Sequence, residues 1–246
     1  MIPSQAPLRF PHVDAQARSA RERYPTTLAG EAVALLAQRA LHWPRMAMVF
    51  VADVHLGKAA AFRAGGVPLP RGVTGTDLSR LSAVLAQTGA RRLVVLGDFL
   101  HARSGRVEAL DASFQAWRNA HPHVAIALVR GNHDAHAGDP PRDWGVECVD
   151  DPFAIPPFLA CHHPAAPPTG YALCGHLHPG VCLHGGAEES VRLPCFVLGT
   201  RRAILPAFGR FTGLATIEPQ GDDRVVAIAG QRLFALPRGA PPSRQV

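Results

Sequence analysis

The spacing of apolar residues changes character along this chain. Apolar runs, Met46 to Ala52, Leu93 to Leu96 in the strand read over Arg92 to Leu96, and Val124 to Val129, alternate with segments whose apolar residues recur every three or four positions. Short continuous runs fit strands buried on both faces, whereas the 3.6-residue period fits amphipathic helices. Leu78, Leu81, Val84 and Leu85 predict a helix over 76–88, with Thr76 as its N-cap. Val107, Leu110, Phe114 and Trp117 predict another. The order is βαβαβ, the signature of a parallel sheet. Upstream, Gly30 to Trp43 reads as a short hairpin. Beyond Asp150, strand-like runs are broken by Pro and Gly without a helical period, so that half is expected to be largely β. No internal repeat is visible.

Polar residues gather where the apolar runs stop. Five cassettes stand out: Asp53-Val54-His55, Gly97-Asp98, Gly131-Asn132-His133-Asp134, His162-His163-Pro164 and Gly175-His176-Leu177-His178. Four of the five directly follow an apolar run, and open α/β sheets place their sites at the C-terminal ends of strands. On extended backbone, residues i and i+2 leave the same face, so Asp53 with His55 can close on one cation, and His176 with His178 again offers two imidazoles at that spacing. Asp98 adds a carboxylate whose two oxygens can bridge two ions. Asn132 offers a neutral oxygen ligand and leaves His133 free beside it, with Asp134 placed to orient that imidazole. Strand alternation sends His162 and His163 to opposite sides, so one of them is expected at the site. Any one cassette occurs by chance; all five in this order do not.

Composition narrows the rest. The chain has 246 residues, 47% of them apolar, and is expected to form one domain over 26–236, with flexible segments at 1–25 and 237–246. No apolar run approaches the ~20 residues that span a bilayer, and the N-terminus lacks the apolar core of a secretory signal, so a cytoplasmic protein without membrane contact is expected. Cys148, Cys161, Cys174, Cys182 and Cys195 show no CxxC pairing and read as reduced thiols packed in the core. The formal net charge is +6, and Lys58 is the one lysine among 25 basic residues. Arginine pairs phosphate oxygens bidentately, which suits a polyanion. Abundant Ala, Gly and Pro fit a high-GC genome equally well, so charge alone adds modest weight.

With its cassettes in this order, the sequence resembles the calcineurin-like metallophosphoesterases, whose pattern is DxH, GD, GNH[DE], a further His and GHxH. The resemblance implies a metallophosphoesterase-type four-layer αββα sandwich, α/β in class, with two mixed β-sheets flanked by helices. It also implies one ion held by Asp53, His55, Asp98 and His178, and a second held by Asp98, Asn132, His162 and His176. His162 is favoured over His163 because the family's ligand stands two residues before a proline. Manganese is favoured, with Fe, Zn, Co or Ni as alternatives. Within the superfamily the chain is most similar to bacterial ligase-associated DNA damage response phosphoesterases of the PdeM type. That similarity runs through Val51 to Ala59, Gly65 to Gly72, Leu96 to Arg103, Leu128 to Pro141, Arg192 to Phe196 and Leu205 to Gly209.

The chemistry implied is metal-assisted hydrolysis, in which two ions activate a water and clamp the scissile phosphate. His133 would contact the phosphate or protonate the leaving oxygen, with Asp134 holding its tautomer. Gly97-Asp98-Phe99-Leu100-His101 resembles the cassette of SbcD-type repair nucleases, in which the histidine serves phosphodiester cleavage. Arg63, Arg71, Arg103 and Arg130 lie near the ligands in sequence and are expected along a phosphate-backbone groove. The leading reading is a DNA endonuclease acting in repair on single-stranded or structured DNA. An ATP-dependent DNA ligase, an exonuclease-like protein and a helicase are the expected partners. A phosphodiesterase or phosphomonoesterase of small molecules, such as a cyclic nucleotide, is the alternative. A non-enzymatic scaffold is disfavoured because every ligand position is filled.

Overall fold

The computed structural model describes residues 21–69, 72–184 and 190–237. Two mixed sheets face each other. The first has seven strands that lie side by side in chain order: β1 (Arg23–Leu28), β2 (Glu31–Leu36), β3 (Ala40–Trp43), β4 (Met48–Ala52), β5 (Arg92–Leu96), β6 (Ala125–Val129) and β7 (Val146–Val149). Neighbours are antiparallel from β1 to β4 and parallel from β4 to β7. The antiparallel part contains the hairpin expected over 30–43. The parallel strands are joined through α1 (Lys58–Ala64), α2 (Val73–Thr88), α3 (Glu108–Ala120) and α4 (Asn132–Ala137).

The second sheet comprises β8 (Phe153–Ile155), β9 (Phe158–Cys161), β10 (Tyr171–Cys174), β11 (Pro179–His184), β12 (Ser190–Leu198), β13 (Arg202–Ile204) and β14 (Ala215–Thr216), extended by the pair β15 (Arg224–Ala229) and β16 (Arg232–Ala235). Its spatial order is β14-β11-β12-β13-β10-β9-β8, with β15 against β12.

Strand alternation explains the layering. In β4, Met48, Phe50 and Ala52 enter the core between the sheets, where they meet Phe158, Leu173, Phe196 and Leu205. Val49 and Val51 point the other way, onto Leu78, Leu81 and Leu85 of α2 and Phe114 of α3. Such strands are buried on both faces and therefore read as continuous apolar runs. Helices cover the outer face of the first sheet. The outer face of the second, including Val181, Cys195, Val197 and Val225, is covered by Ile217, Phe234 and Leu236 instead. No α-helix follows α4 among the described residues.

Two boundaries differ from expectation. Helix α2 starts at Val73, not Thr76, because Gly72 adopts the left-handed conformation at φ 91° without a side-chain penalty. Thr76 lies inside the helix and its hydroxyl donates back to the Gly72 carbonyl at 3.2 Å. At the N-terminus, β1 opens at Arg23 and Arg21 pairs with Leu233, so ordered backbone reaches into the segment expected to be flexible. Residues 1–20 and 238–246 lie outside the described residues. The five cysteines are free thiols, and Cys161, Cys174 and Cys195 are buried.

Candidate metal centre

All five cassettes sit just beyond the C-terminal ends of strands: β4, β5 and β6 of the first sheet, β9 and β10 of the second. Parallel pairing continues past the strands as their turns begin, with Asp53 N donating to Gly97 O at 3.2 Å and His55 N to Asp98 O at 2.8 Å. The turns are tight enough that Asp53, His55, Asp98, His176 and His178 all adopt positive φ, between 47° and 71°. None is glycine, and each such residue costs about 1–3 kcal/mol that the surrounding structure must supply. Five strained residues meeting at one place mark a functional site.

The glycines of the cassettes are required by close approach. A Cβ on Gly97 would stand 2.0 Å from His162 Nδ1, and one on Gly131 would stand 2.3 Å from Asp98 Oδ1. A Cβ on Gly175 would meet the Leu96 carbonyl oxygen at 2.7 Å. Backbone thus fills the space between the sheets so that side chains of both can converge.

Asp53 and Asp98 are fixed by backbone amides. His176 N donates to both Asp53 oxygens, at 3.1 and 2.9 Å, which ties the second sheet to a carboxylate of the first. His133 N donates to Asp98 Oδ1 at 2.9 Å. His162 is fully buried, and its Nδ1 donates to the Leu96 carbonyl oxygen at 3.1 Å, which leaves Nε2 with a lone pair. That lone pair faces Asn132 Oδ1 at 2.9 Å, His176 Nδ1 at 3.1 Å and Asp98 Oδ1 at 3.5 Å. On the other side of Asp98, His55 Nε2 lies 3.8 Å from Oδ2 and has no hydrogen-bond partner although it is buried. His178 Nε2 stands 3.6 Å from Asp53 Oδ1.

Electron pairs converge here with too few protons between them, and a buried unsatisfied group is costly. A cation answers both problems. Donor atoms of Asp53, His55 and His178, and of Asp53, Asp98 and His162, lie within 4.8 Å of one another in each set. Burial pushes the His55 imidazole down to about 2 and also lowers His176, which keeps both rings in the neutral form that metals bind. The residues present therefore fit the two-ion centre: Asp53, His55, Asp98 and His178 would hold one ion, and Asp98, Asn132, His162 and His176 the other. His163 is exposed and its Nδ1 lies 3.3 Å from Asp151 Oδ2, so His162 is the member of that pair directed into the cluster.

Two further histidines flank the carboxylates. His133 Nε2 is 4.0 Å from Asp98 Oδ2, and its Nδ1 donates to the His101 carbonyl oxygen at 2.9 Å. His101 stacks on His133, with ring centroids 4.8 Å apart, and burial followed by the nearby Lys58 charge pushes its pKa down to about 4.

Asp134 does not orient His133, which corrects the expectation. Its carboxylate is buried and accepts from Leu100 N and Gly131 N, both at 2.9 Å, because α4 begins here and its first turn places Asp134 back against the two strand-end loops. Arg130 is corrected as well. It forks onto Asp139 with two contacts of 2.8 Å and reaches Asp150 at 2.8 Å, so neighbouring carboxylates occupy the guanidinium expected to bind phosphate. Arg103 is exposed and donates through Nε to the His136 carbonyl oxygen at 3.1 Å. Arg63 lies half-buried on α1, and Arg71 lies outside the described residues.

Lys58 escaped the sequence reading. The chain's one lysine opens α1 directly after the Asp53–His55 turn, half-buried, and lines a shallow open cleft together with His55, Thr74 and Phe211. Burial lowers its pKa, opposed by the charges of Asp98 and Asp53. Its rarity in an arginine-rich chain was the available signal.

Comparison with known proteins agrees with this geometry. No curated protein matches the sequence at a significant level. Among solved structures, Pseudomonas putida nuclease MPE shares 40% identity, covering 87% of this chain and 100% of that one, with a TM-score of 0.77. Yfce, a phosphoesterase from E. coli, shares 17% identity over 76% of this chain and 90% of its own, with a TM-score of 0.36. The family described as Calcineurin-like phosphoesterase matches residues 46–227, and the chain belongs to it.

Proposed function

We propose that this metal-dependent phosphoesterase is a DNA endonuclease acting in DNA repair. One observation carries the reading: the 40% identity to a nuclease, which spans the whole of that chain. The position of His101 supports it. The residue packs its ring between those of His133 and Phe62 and fixes His133 through its carbonyl oxygen. Two divalent ions bound there, manganese the favoured metal, would supply the Lewis acidity that activates a water and offsets phosphate charge. The chain's own residues do the rest. His133, with Nδ1 committed to a carbonyl, presents Nε2 toward the substrate side, where it can contact the phosphate or pass a proton to the leaving oxygen. Lys58 and the net charge of +6 favour a polyanion. A ligase, an exonuclease-like protein and a helicase remain the proposed partners, and a cytoplasmic location the proposed setting. No described helix is long and apolar enough to cross a membrane.

The test is manganese-dependent cleavage of circular and end-labelled single-stranded DNA, with Asp98→Ala as the control and bis-p-nitrophenyl phosphate in parallel. Cutting of the circle that disappears in the variant supports the endonuclease. Hydrolysis of the small diester alone removes the DNA role and leaves the phosphoesterase.

A further inference from the structure

Phe62 stands at the outer end of a ladder of rings. Its centroid is 5.9 Å from that of His101 with the planes 20° apart, and His101 stacks in turn on His133 at 4.8 Å and 23°. The inner end of the ladder reaches the Asp98 carboxylate, since His133 Nε2 is 4.0 Å from Asp98 Oδ2. The outer end is a benzene ring on α1 that is 41% exposed.

A single exposed aromatic is ordinary. Phe62 is not single. Leu177, between the ligands His176 and His178, is 39% exposed, and Phe211, on the cleft beside His55, is 40% exposed. Large apolar side chains thus rim a site whose interior is carboxylate and imidazole. Lys58 is four residues before Phe62 on the same helix, so a cation and a flat apolar ring share one face of α1. No hydrogen bond or ion pair engages the Lys58 ammonium among the described residues. An anion joined to a flat aromatic group matches that pairing, and a nucleotide is one.

We propose that Phe62 is a base-stacking shelf, on which an unpaired base next to the scissile phosphate lies while Lys58 faces the adjoining backbone. The inference rests on the nuclease reading and deepens it, because a base inside a duplex has no free face to offer. The site therefore takes single-stranded or locally unpaired DNA and rejects the interior of a duplex. Stacking tolerates every base, so the shelf selects for strandedness rather than for sequence.

The experiment compares the full chain with Phe62→Leu and Phe62→Trp in manganese, using a single-stranded oligonucleotide and a base-free strand of equal length. For Phe62→Leu, kcat/KM on the base-bearing strand is expected to fall by about fivefold to 150-fold, the loss of one base–aromatic stack, with the base-free strand unaffected. Phe62→Trp is expected to restore it. Equal losses on both strands would mean that Phe62 merely packs His101, and would overturn the proposal. Quenching of a 2-aminopurine strand on binding reads stacking without cleavage. Quenching by the parent protein that Phe62→Leu loses, without any cutting, keeps the shelf and removes the nuclease. Cutting with identical quenching in both proteins keeps the nuclease and removes the shelf. Neither cutting nor quenching by the parent removes both.

Discussion

The guanidinium of Arg80 lies over the ring of Phe208, 4.1 Å from its centroid, and donates to the carbonyl oxygen of the same residue. Arg39 grips the neighbouring carbonyls, Ala207 O at 3.0 Å and Gly209 O at 3.4 Å. The segment they hold returns two amides to the metal turn: Phe208 N donates to Ala52 O at 2.7 Å and Gly209 N to Asp53 O at 3.0 Å. The arginines therefore buttress the strained backbone of Asp53 from behind. Arg80→Met breaks the ion pair with buried Asp77, 3.1 Å away, and is expected to cost about 3 kcal/mol. It should also weaken manganese binding. Urea unfolding and a metal titration check both, and Arg80→Lys should recover part of each. Unchanged metal affinity in a destabilised protein would show that Arg80 supports the fold alone.

Asp98→Ala is expected to abolish hydrolysis of every phosphoester, because Asp98 would hold both of the two ions. Metal removal should act in the same direction on stability. Metal at a hundred times its dissociation constant adds about 2.7 kcal/mol when it binds only the folded chain. The melting temperature of the parent protein should thus rise with manganese, and that of Asp98→Ala should rise little. Calorimetry with and without chelator measures the difference.

His101→Ala should impair DNA cleavage more than hydrolysis of bis-p-nitrophenyl phosphate, since the activated diester needs little help with its leaving group. A loss of tenfold or more on DNA against a few-fold loss on the small diester is expected from steady-state kinetics. Parallel losses would remove His101 as the residue that adapts this site to nucleic acid.

Asp134→Ala should destabilise the protein by about 2–4 kcal/mol, because two buried amides, Leu100 N and Gly131 N, lose their acceptor. Thermal unfolding reads this directly. A role in setting the tautomer of His133 would instead alter the pH dependence of kcat while leaving stability intact.

Acidification should weaken the metal-free protein from about pH 6.5 downward. Burial lowers the pKa of His42, with Arg23 adding to the effect, and pushes His55 to about 2. Both bind a proton less readily when folded than when unfolded, so the stability they contribute is complete above the unfolded value and is lost as pH falls below it. Each adds up to about 1.4 kcal/mol per pH unit. His42→Leu should flatten the decline in melting temperature between pH 7 and pH 5.

What the sequence revealed was local. Asp53 with His55, and His176 with His178, stand two residues apart just past strand ends, so their nearness follows from the chain alone, although the extended backbone expected there gives way to turns at positive φ. Helix α3 was legible because Leu110, Phe114 and Trp117 keep one face. The supports of the site are not local. Arg80 reaches Phe208 across 128 positions and Arg39 reaches Ala207 across 168, and Asp134 serves an amide 34 residues away. Nothing in a linear pattern announces such partners. The same holds for Thr76: a capping residue was legible, but glycine at 72 moved the helix start past it.

The donors of the centre come from opposite walls of the sandwich: Asp53, His55, Asp98 and Asn132 from one sheet, His162, His176 and His178 from the other. An ion pair held this way acts as a rivet. With both ions bound, the walls could not splay without breaking donor–metal bonds, so loading the centre would restrain the breathing of the sandwich.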